Sequence, residues 1–185
     1  ADLEDSYAMY NLGLLYEEEN NYIKAKDWYL KSADLGHEYS MDNLGNYYYE
    51  GKGLEQDFDK AEEWFLKAAK LGNHFSQNNL GILYSNKAWE KHNFKTANEW
   101  YIRAAEKNNE WAIDSLAENY INGIGIEKNF FKAEEILIRN AKNNYKWSQL
   151  KLGKLYLNKD WEGYNEIKAI KWLKEAAQNN YVEAK

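Results

Sequence analysis

A five-residue pattern, Leu-Gly-x-x-Tyr, is the feature that most constrains the fold of this chain. It occurs five times, once with alanine in place of glycine, and the copies begin at Leu12, Leu44, Leu80, Leu116 and Leu152. The last three steps between copies are 36 residues each. A fixed period of this length is typical of arrays in which each unit buries its apolar face against its neighbours. The sequence therefore predicts stacked repeats rather than a fold built around one central core.

Each copy is predicted to be a pair of helices. Between residues 39 and 74, apolar residues recur at helical spacing in two runs, which Gly51-Lys52-Gly53 separates. A glycine or asparagine follows the second run of every copy, where a left-handed helix cap is expected. These cap positions are Gly36, Gly72, Asn108, Asn144 and Asn180. The pattern predicts an all-α fold of stacked helix hairpins.

The predicted second helices carry a column of tryptophans, which we assign to the core. Trp64 and Trp100 each stand three residues after a recurring alanine and are predicted to be largely buried. Truncating Trp100 to alanine should then cost on the order of 3–5 kcal/mol, the usual range for a large core aromatic. The same change at Trp89, in a connecting loop, should cost clearly less.

The combined pattern resembles the Sel1-like repeat (SLR) family, a relative of the tetratricopeptide repeats. The matching residues are Asn11-Leu12-Gly13, Gly51-x-Gly53, Lys60-Ala61 and Lys67-Ala68-Ala69. The resemblance covers nearly the whole chain. It implies a right-handed α-solenoid, or α/α superhelix, that acts as an adaptor or scaffold and has no common catalytic residues.

We predict that residues 1–185 form a single array. The five repeats are expected at residues 7–38, 39–74, 75–110, 111–146 and 147–182. Residues 1–6 are expected to be the tail of a preceding repeat, and residues 183–185 the start of a further one. We therefore expect the chain to be a piece of a longer array, with any signal peptide upstream of it.

Composition and charge argue against several classes of function. The chain has 30 acidic residues against 24 lysines and arginines, a net charge of −6, and no basic stripe for phosphates. A nucleic acid partner is therefore not expected. No apolar stretch of about 18 residues indicates a membrane span. The sequence has 0 cysteines, so disulfides do not contribute to its stability.

No group of residues has the spacing of a metal or catalytic site. The histidines are His37, His74 and His92, and none pairs with another histidine or a cysteine at ligand spacing. We interpret His37 and His74 as capping or surface residues, and we expect no metal and no cofactor. The acid pairs Glu62-Glu63 and Glu134-Glu135 are interpreted as a solvated helix face. Without a nucleophile elbow or a phosphate-binding loop, the chain is not predicted to be an enzyme.

An aromatic residue stands at the start of each predicted first helix. These residues are Tyr7, Tyr39, Phe75, Trp111 and Trp147, where the SLR family usually has a polar side chain. By analogy with tetratricopeptide repeats, this position and those three, seven and ten residues later would line a concave groove. The later positions give Tyr10, Leu14, Glu17, Asp42, Asn46, Tyr49, Asn78, Ile82, Ser85, Asp114, Glu118, Ile121, Leu150, Lys154 and Leu157. The aromatic column either seals joints between repeats or forms a binding platform.

Two further tryptophans, Trp89 and Trp161, replace the second glycine of the Gly-x-Gly connection in the third and fifth repeats. Either each indole packs against its own hairpin and stiffens the loop, or it contacts a partner. This alternation has a period of 72 residues and indicates that the array grew by copying pairs of repeats.

The sequence favours a non-catalytic scaffold whose groove holds a peptide or protein surface. The acidic residues predicted along the groove favour a basic partner. Two alternatives stay open: an inhibitor or immunity protein that blocks a secreted bacterial toxin, and a glycan-binding module that stacks sugar rings on its aromatics.

Overall fold

The computed structural model describes residues 3–178, which form ten α-helices and no strand. The helices are α1 (Leu3–Glu18), α2 (Tyr22–Asp34), α3 (Glu38–Glu50), α4 (Phe58–Lys70), α5 (His74–Ser85), α6 (Phe94–Glu106), α7 (Glu110–Asn122), α8 (Phe130–Ala141), α9 (Lys146–Tyr156) and α10 (Glu166–Gln178). Odd-numbered helices are the first helices of the repeats, and even-numbered helices are the second. The predicted all-α fold of helix hairpins is confirmed.

Side-chain caps explain where most of these helices begin. Asn73 and Asn109 precede α5 and α7, and each side chain accepts a hydrogen bond from the backbone N–H three residues later. Asp57 caps α4 in the same way. His37, predicted to cap or lie on the surface, caps α3 with Nδ1 and is buried, whereas His74 is the first residue of α5 and not its cap.

The ends of the second helices follow the predicted left-handed geometry. The backbone φ angle is 89° at Gly36, 97° at Gly72, 60° at Asn108 and 64° at Asn144. Glycine and asparagine are the residues that adopt this conformation most readily, so the chain can leave each hairpin and start the next. The predicted cap at Asn180 lies outside the described residues.

The chain divides into two units, residues 1–93 and 94–185. In the first unit, α1 packs on α2 and α3 on α4, while α2 contacts α3 and α4 contacts α5. In the second unit, α7 packs on α8 and α9 on α10, while α6 contacts α7 and α8 contacts α9. Each unit is therefore a stack in which consecutive helices bury their apolar faces against each other.

Glycine in the Leu-Gly-x-x-Tyr pattern marks the closest approach within a hairpin. A Cβ atom placed on Gly45 would overlap the ring of Phe65, and one placed on Gly13 would overlap the ring of Tyr29. The helices of these two hairpins therefore meet over an aromatic ring that only a residue without a side chain admits.

The aromatic ring that the glycine contacts stands one residue after the tryptophan that was predicted to be in the core. Tyr29 and Phe65 are fully buried, whereas Trp64 and Trp100 are of intermediate exposure and Trp64 packs against the margin of the core. The Nζ atom of Lys67 lies 3.9 Å from the ring centroid of Trp64. Neighbouring positions on a helix differ by about 100°, so the residue after each tryptophan points at the first helix instead.

The loop tryptophans are buried, so they offer no free surface to a partner. Trp89 is 4% exposed, packs at a tilt against Tyr84 with ring centroids 5.2 Å apart, and donates its Nε1–H to Asp59 of the preceding repeat at 3.1 Å. Trp161 is 3% exposed and stacks on Tyr156 at 5.5 Å. The packing alternative therefore applies, and each indole also bridges to the repeat before its own.

The same joints recruit one residue from each predicted acid pair. The hydroxyl of Tyr84 donates to Glu62, and the hydroxyl of Tyr156 donates to Glu134. The interpretation of these two acids as a solvated face is wrong, because each is half-buried and fixes a joint between hairpins. Their neighbours Glu63 and Glu135 are exposed, as predicted.

The ends of the chain were predicted to belong to flanking repeats. Residues 3–6 instead continue into α1 without a break, and Ser32 of α2 donates to the carbonyl of Ser6 at 2.6 Å. This contact ties Ser6 to the second helix of the first hairpin. Residues 1 and 2 and the predicted start of a further repeat at residues 183–185 lie outside the described residues.

Candidate partner-binding face

The first helices of unit 1 carry a connected row of aromatic rings. This aromatic row consists of Tyr7, Tyr10, His37, Tyr39 and Phe75. The ring centroids of Tyr10 and His37 lie 4.7 Å apart, those of Tyr10 and Tyr39 6.3 Å, and those of Tyr39 and Phe75 6.3 Å. Tyr7 and Tyr39 nevertheless keep exposed surface. The row both packs helix against helix and offers ring edges to solvent.

Burial changes the protonation of the inner members of this row. Burial lowers the pKa of His37, so the imidazole stays neutral and can accept the hydrogen bond from the Ser40 backbone. Burial also raises the pKa of Tyr10, with the neighbouring Tyr7 as the next cause. His37 and Tyr10 are therefore uncharged near neutral pH.

In unit 2, the corresponding residues are two exposed tryptophans. Trp111 on α7 is 55% exposed, and Trp147 on α9 is 54% exposed. Tryptophans are enriched at protein interfaces, where the ring offers a large apolar surface and the indole N–H a polar contact. These two positions are the largest apolar surfaces that the predicted groove set offers.

A pocket of about 460 Å³, which we call the α7/α9 pocket, lies beside Trp147. Its lining comprises Glu118, Ile121, Asn122, Trp147, Leu150, Lys151, Lys154, Leu155 and Asn158. Five of these side chains were predicted for the groove from spacing alone: Glu118, Ile121, Trp147, Leu150 and Lys154. The structure therefore brings together one aromatic, two aliphatic and two charged members of the predicted set.

The remaining lining residues were missed because they lie off the predicted spacing. Lys151 and Leu155 each follow a predicted position by one residue. The sequence feature that could have identified Lys151 is the charge of α9, which carries lysines and no acidic residue over residues 146–156. Reading the charges of each first helix separately would have picked out this basic helix.

Unit 1 has a smaller cleft of about 160 Å³ between α3 and α5. Asn46, Tyr49 and Ile82 of the predicted groove line it, together with Glu50, Phe65 and Asn79. Asn79 donates from Nδ2 to the Asn46 side chain at 3.2 Å, so part of its polar surface is already satisfied. This cleft has a smaller volume than the α7/α9 pocket, and no lysine lines it.

Three predicted groove residues, Asp42, Asn78 and Asp114, are instead buried. Ser76 donates to Asp42 at 2.5 Å, and Ser148 donates to Asp114 at 2.6 Å. Each aspartate thus ties its first helix to the next one, and burial raises the pKa of both carboxyl groups. Because Asp42 and Asp114 are not on the surface, they no longer give a reason to expect a basic partner.

The other acids of the predicted groove are neutralised. Glu17 accepts hydrogen bonds from Lys52 at 2.5 Å and Tyr29 at 2.7 Å. Burial opposes its charge, but these hydrogen bonds outweigh that effect and lower the pKa of Glu17. Glu118 pairs with Lys151 at 2.7 Å. The charge that remains to be matched in the α7/α9 pocket is therefore positive, on Lys154.

Over residues 3–178, no set of three or more histidine, cysteine or acidic side chains is placed to hold a metal ion. In the same part of the chain, no helix has the length and apolarity needed to cross a membrane. The polar groups that do cluster are the aspartate–serine and tyrosine–glutamate contacts between hairpins, which serve packing.

The repeat pattern agrees with a known family over most of the chain. The Sel1 repeat model matches residues 6–37, 39–73, 74–109, 112–145 and 148–181. The chain belongs to the Sel1 repeat family. Proteins with Sel1 repeats are generally protein-interaction scaffolds, and the family is typically non-catalytic. The family resemblance drawn from the sequence is confirmed.

Solved Sel1 repeat structures resemble this chain closely. A protective antigen of uropathogenic Escherichia coli strains with an SLR fold is 28% identical, with a TM-score of 0.81, over 94% of this chain and 38% of its own. A Sel1 repeat protein from Oxalobacter formigenes is 30% identical, also with a TM-score of 0.81, over 95% of this chain and 74% of its own. This chain therefore spans about two fifths of the Escherichia coli antigen.

A third structure, of a putative Sel1 repeat protein from Klebsiella pneumoniae, is 19% identical with a TM-score of 0.62 and supports the fold alone. Among curated proteins, none matches this chain in sequence. These Sel1 repeat relatives are all bacterial proteins, and they agree with the helical-repeat architecture described above.

Proposed function

We propose that this chain is a non-catalytic scaffold that binds a peptide segment or protein surface along its first helices. The observation that carries the proposal is the exposure of Trp111 and Trp147 at the starts of consecutive first helices of unit 2. Large rigid aromatics are enriched among binding hot spots because they offer much contact area at little cost in entropy. A helical face with apolar anchors of this kind suits an extended or helical peptide.

The competing role for these tryptophans is to seal the joints between hairpins. In unit 1 the equivalent rings do contact each other, which supports some contribution to packing. The indoles of unit 2 retain more than half of their surface, and a side chain that only seals a joint has no need to remain so open. The proposal therefore assigns binding chiefly to Trp111 and Trp147.

The test uses a phage-displayed library of random 12-residue peptides selected on the purified chain. Affinities of the enriched peptides, measured by fluorescence polarisation, are compared for the wild type, Trp111→Glu and Trp147→Glu. Ile167→Glu is the matched control, since Ile167 is an exposed apolar side chain on the second helix α10. Circular dichroism gives the melting temperature of each variant.

We expect both tryptophan variants to keep the wild-type melting temperature and to weaken peptide binding at least tenfold, about 1.4 kcal/mol. The Ile167→Glu control should bind as the wild type does. Unchanged affinity in both tryptophan variants, or a large loss of folding stability, would contradict the proposal and return these residues to joint packing.

A further inference from the structure

We infer that the α7/α9 pocket recognises an apolar side chain that is accompanied by a carboxylate. This inference rests on the proposed function and specifies the chemistry of its partner in the fifth repeat. The occupant would be a leucine- or phenylalanine-sized side chain with an aspartate, glutamate or terminal carboxylate one or two residues away. Three properties of the pocket lead to this assignment: its walls, its charge and its contrast with the cleft in unit 1.

The walls of the pocket are mainly apolar. Ile121 of α7 faces Trp147, Leu150 and Leu155 of α9 across a volume of about 460 Å³. Volumes of about 300–1,000 Å³ with mostly apolar linings are typical of sites that bury a small ligand. A single large apolar side chain can therefore enter and be covered by the Trp147 indole, which is open to solvent in the free protein.

The charged residues that line the pocket are one acid, Glu118, and two bases, Lys151 and Lys154. Glu118 and Lys151 neutralise each other at 2.7 Å. The ammonium group of Lys154, which is exposed at the pocket wall, makes no ion pair or hydrogen bond with any residue in the described part of the chain. A cation beside apolar walls attracts an anion more strongly than one in open water, because the local dielectric constant is lower. A carboxylate on the partner would match this ammonium group.

Position 154 also distinguishes this site from the equivalent places in the array. The residues at the same repeat position are Leu14, Asn46, Ile82 and Glu118, and none is basic. The α3/α5 cleft of unit 1 holds Asn79 and Ile82 where the α7/α9 pocket has Lys151 and Lys154, and it is about 160 Å³ in volume. The preference for a carboxylate should therefore be confined to the α7/α9 pocket.

The experiment uses three small probes with the same phenyl ring: 3-phenylpropionate, its neutral amide 3-phenylpropanamide, and the cation 3-phenylpropylamine. Each is titrated at pH 7 into the ¹⁵N-labelled chain, and the backbone and indole shifts give both the location and the dissociation constant. The variant Lys154→Gln removes the proposed charge partner. Lys174→Gln, which changes an exposed lysine on α10, is the matched control.

We expect 3-phenylpropionate to shift the Trp147 indole resonance and the amides of residues 150–158, and to bind about fivefold more tightly than the amide. Lys154→Gln should abolish that difference, and Lys174→Gln should preserve it. The cationic probe should bind most weakly. These results together would support an apolar, carboxylate-bearing partner.

Equal binding of the acid and the amide would overturn the carboxylate preference while leaving peptide binding along the first helices intact. Tighter binding of the amine would overturn it as well. Absence of shifts around Trp147 with all three probes would overturn the pocket as a site. The proposed function is tested separately, by the loss of peptide affinity in Trp111→Glu. Failure of the carboxylate preference can therefore be distinguished from failure of peptide binding.

Discussion

Truncation of Trp89 to alanine should destabilise the chain more than truncation of Trp64. Trp89 is 4% exposed, packs on Tyr84 and donates its indole N–H to Asp59 at 3.1 Å. Its removal leaves a cavity between two hairpins, for which the usual cost is about 3–5 kcal/mol. Trp64 is half-buried and covered by Lys67, so partial burial and a cation–π contact together contribute roughly 1–2 kcal/mol.

The two variants form a matched pair, since both remove an indole from the same unit. Urea denaturation followed by far-ultraviolet circular dichroism is the suitable assay, because tryptophan fluorescence itself changes with each substitution. The difference between the variants should be about 2 kcal/mol, or roughly 4–8 °C in melting temperature for a chain of this size. Equal midpoints, or a lower midpoint for Trp64→Ala, would refute the assignment of Trp89 to the joint between repeats.

Two further predictions concern the polar contacts. Because burial lowers the pKa of His37, the folded chain should lose unfolding free energy as pH falls below about 6.5, the unfolded value. His37→Asn keeps a capping side chain for Ser40 and should flatten urea midpoints measured between pH 7.5 and 5; an unchanged slope would contradict this. Glu62→Gln, which weakens the contact with Tyr84, should cost about 1–2 kcal/mol, whereas the exposed Glu63→Gln should cost under about 0.5 kcal/mol in the same urea titration. Equal costs for the two substitutions would contradict the role of Glu62 in fixing one hairpin to the next.

The sequence predicts the hairpin architecture well because every structural requirement is repeated. Left-handed caps need glycine or asparagine, and close helix approach needs glycine at positions such as Gly45. Periodicity does not decide between two adjacent apolar columns. Trp64 and Phe65 are both large and both recur as aromatics, and only the packing of α4 on α3 shows that Phe65 is the buried one.

Only part of the candidate site could be predicted, because the sequence shows helix spacing but not which side chains pack against each other. Spacing grouped Ile121, Leu150 and Lys154, which all line the α7/α9 pocket, because these positions follow from the helix period. It misplaced Asp42 and Asp114, because their partners lie 34 residues away in the next repeat, at Ser76 and Ser148. The signal was present in the sequence, since the aspartates and the serines share the same 72-residue offset.

Mapping the footprint of a bound peptide shows whether the first helices are the ones that bind it. The tightest peptide from the displayed library is added to the wild-type chain, and hydrogen–deuterium exchange is compared with and without it. We expect added protection in α7 and α9, centred on the turns that carry Trp111 and Trp147, and none in α8 and α10. Protection centred on α8 and α10, with α7 and α9 unchanged, would contradict binding by the first helices.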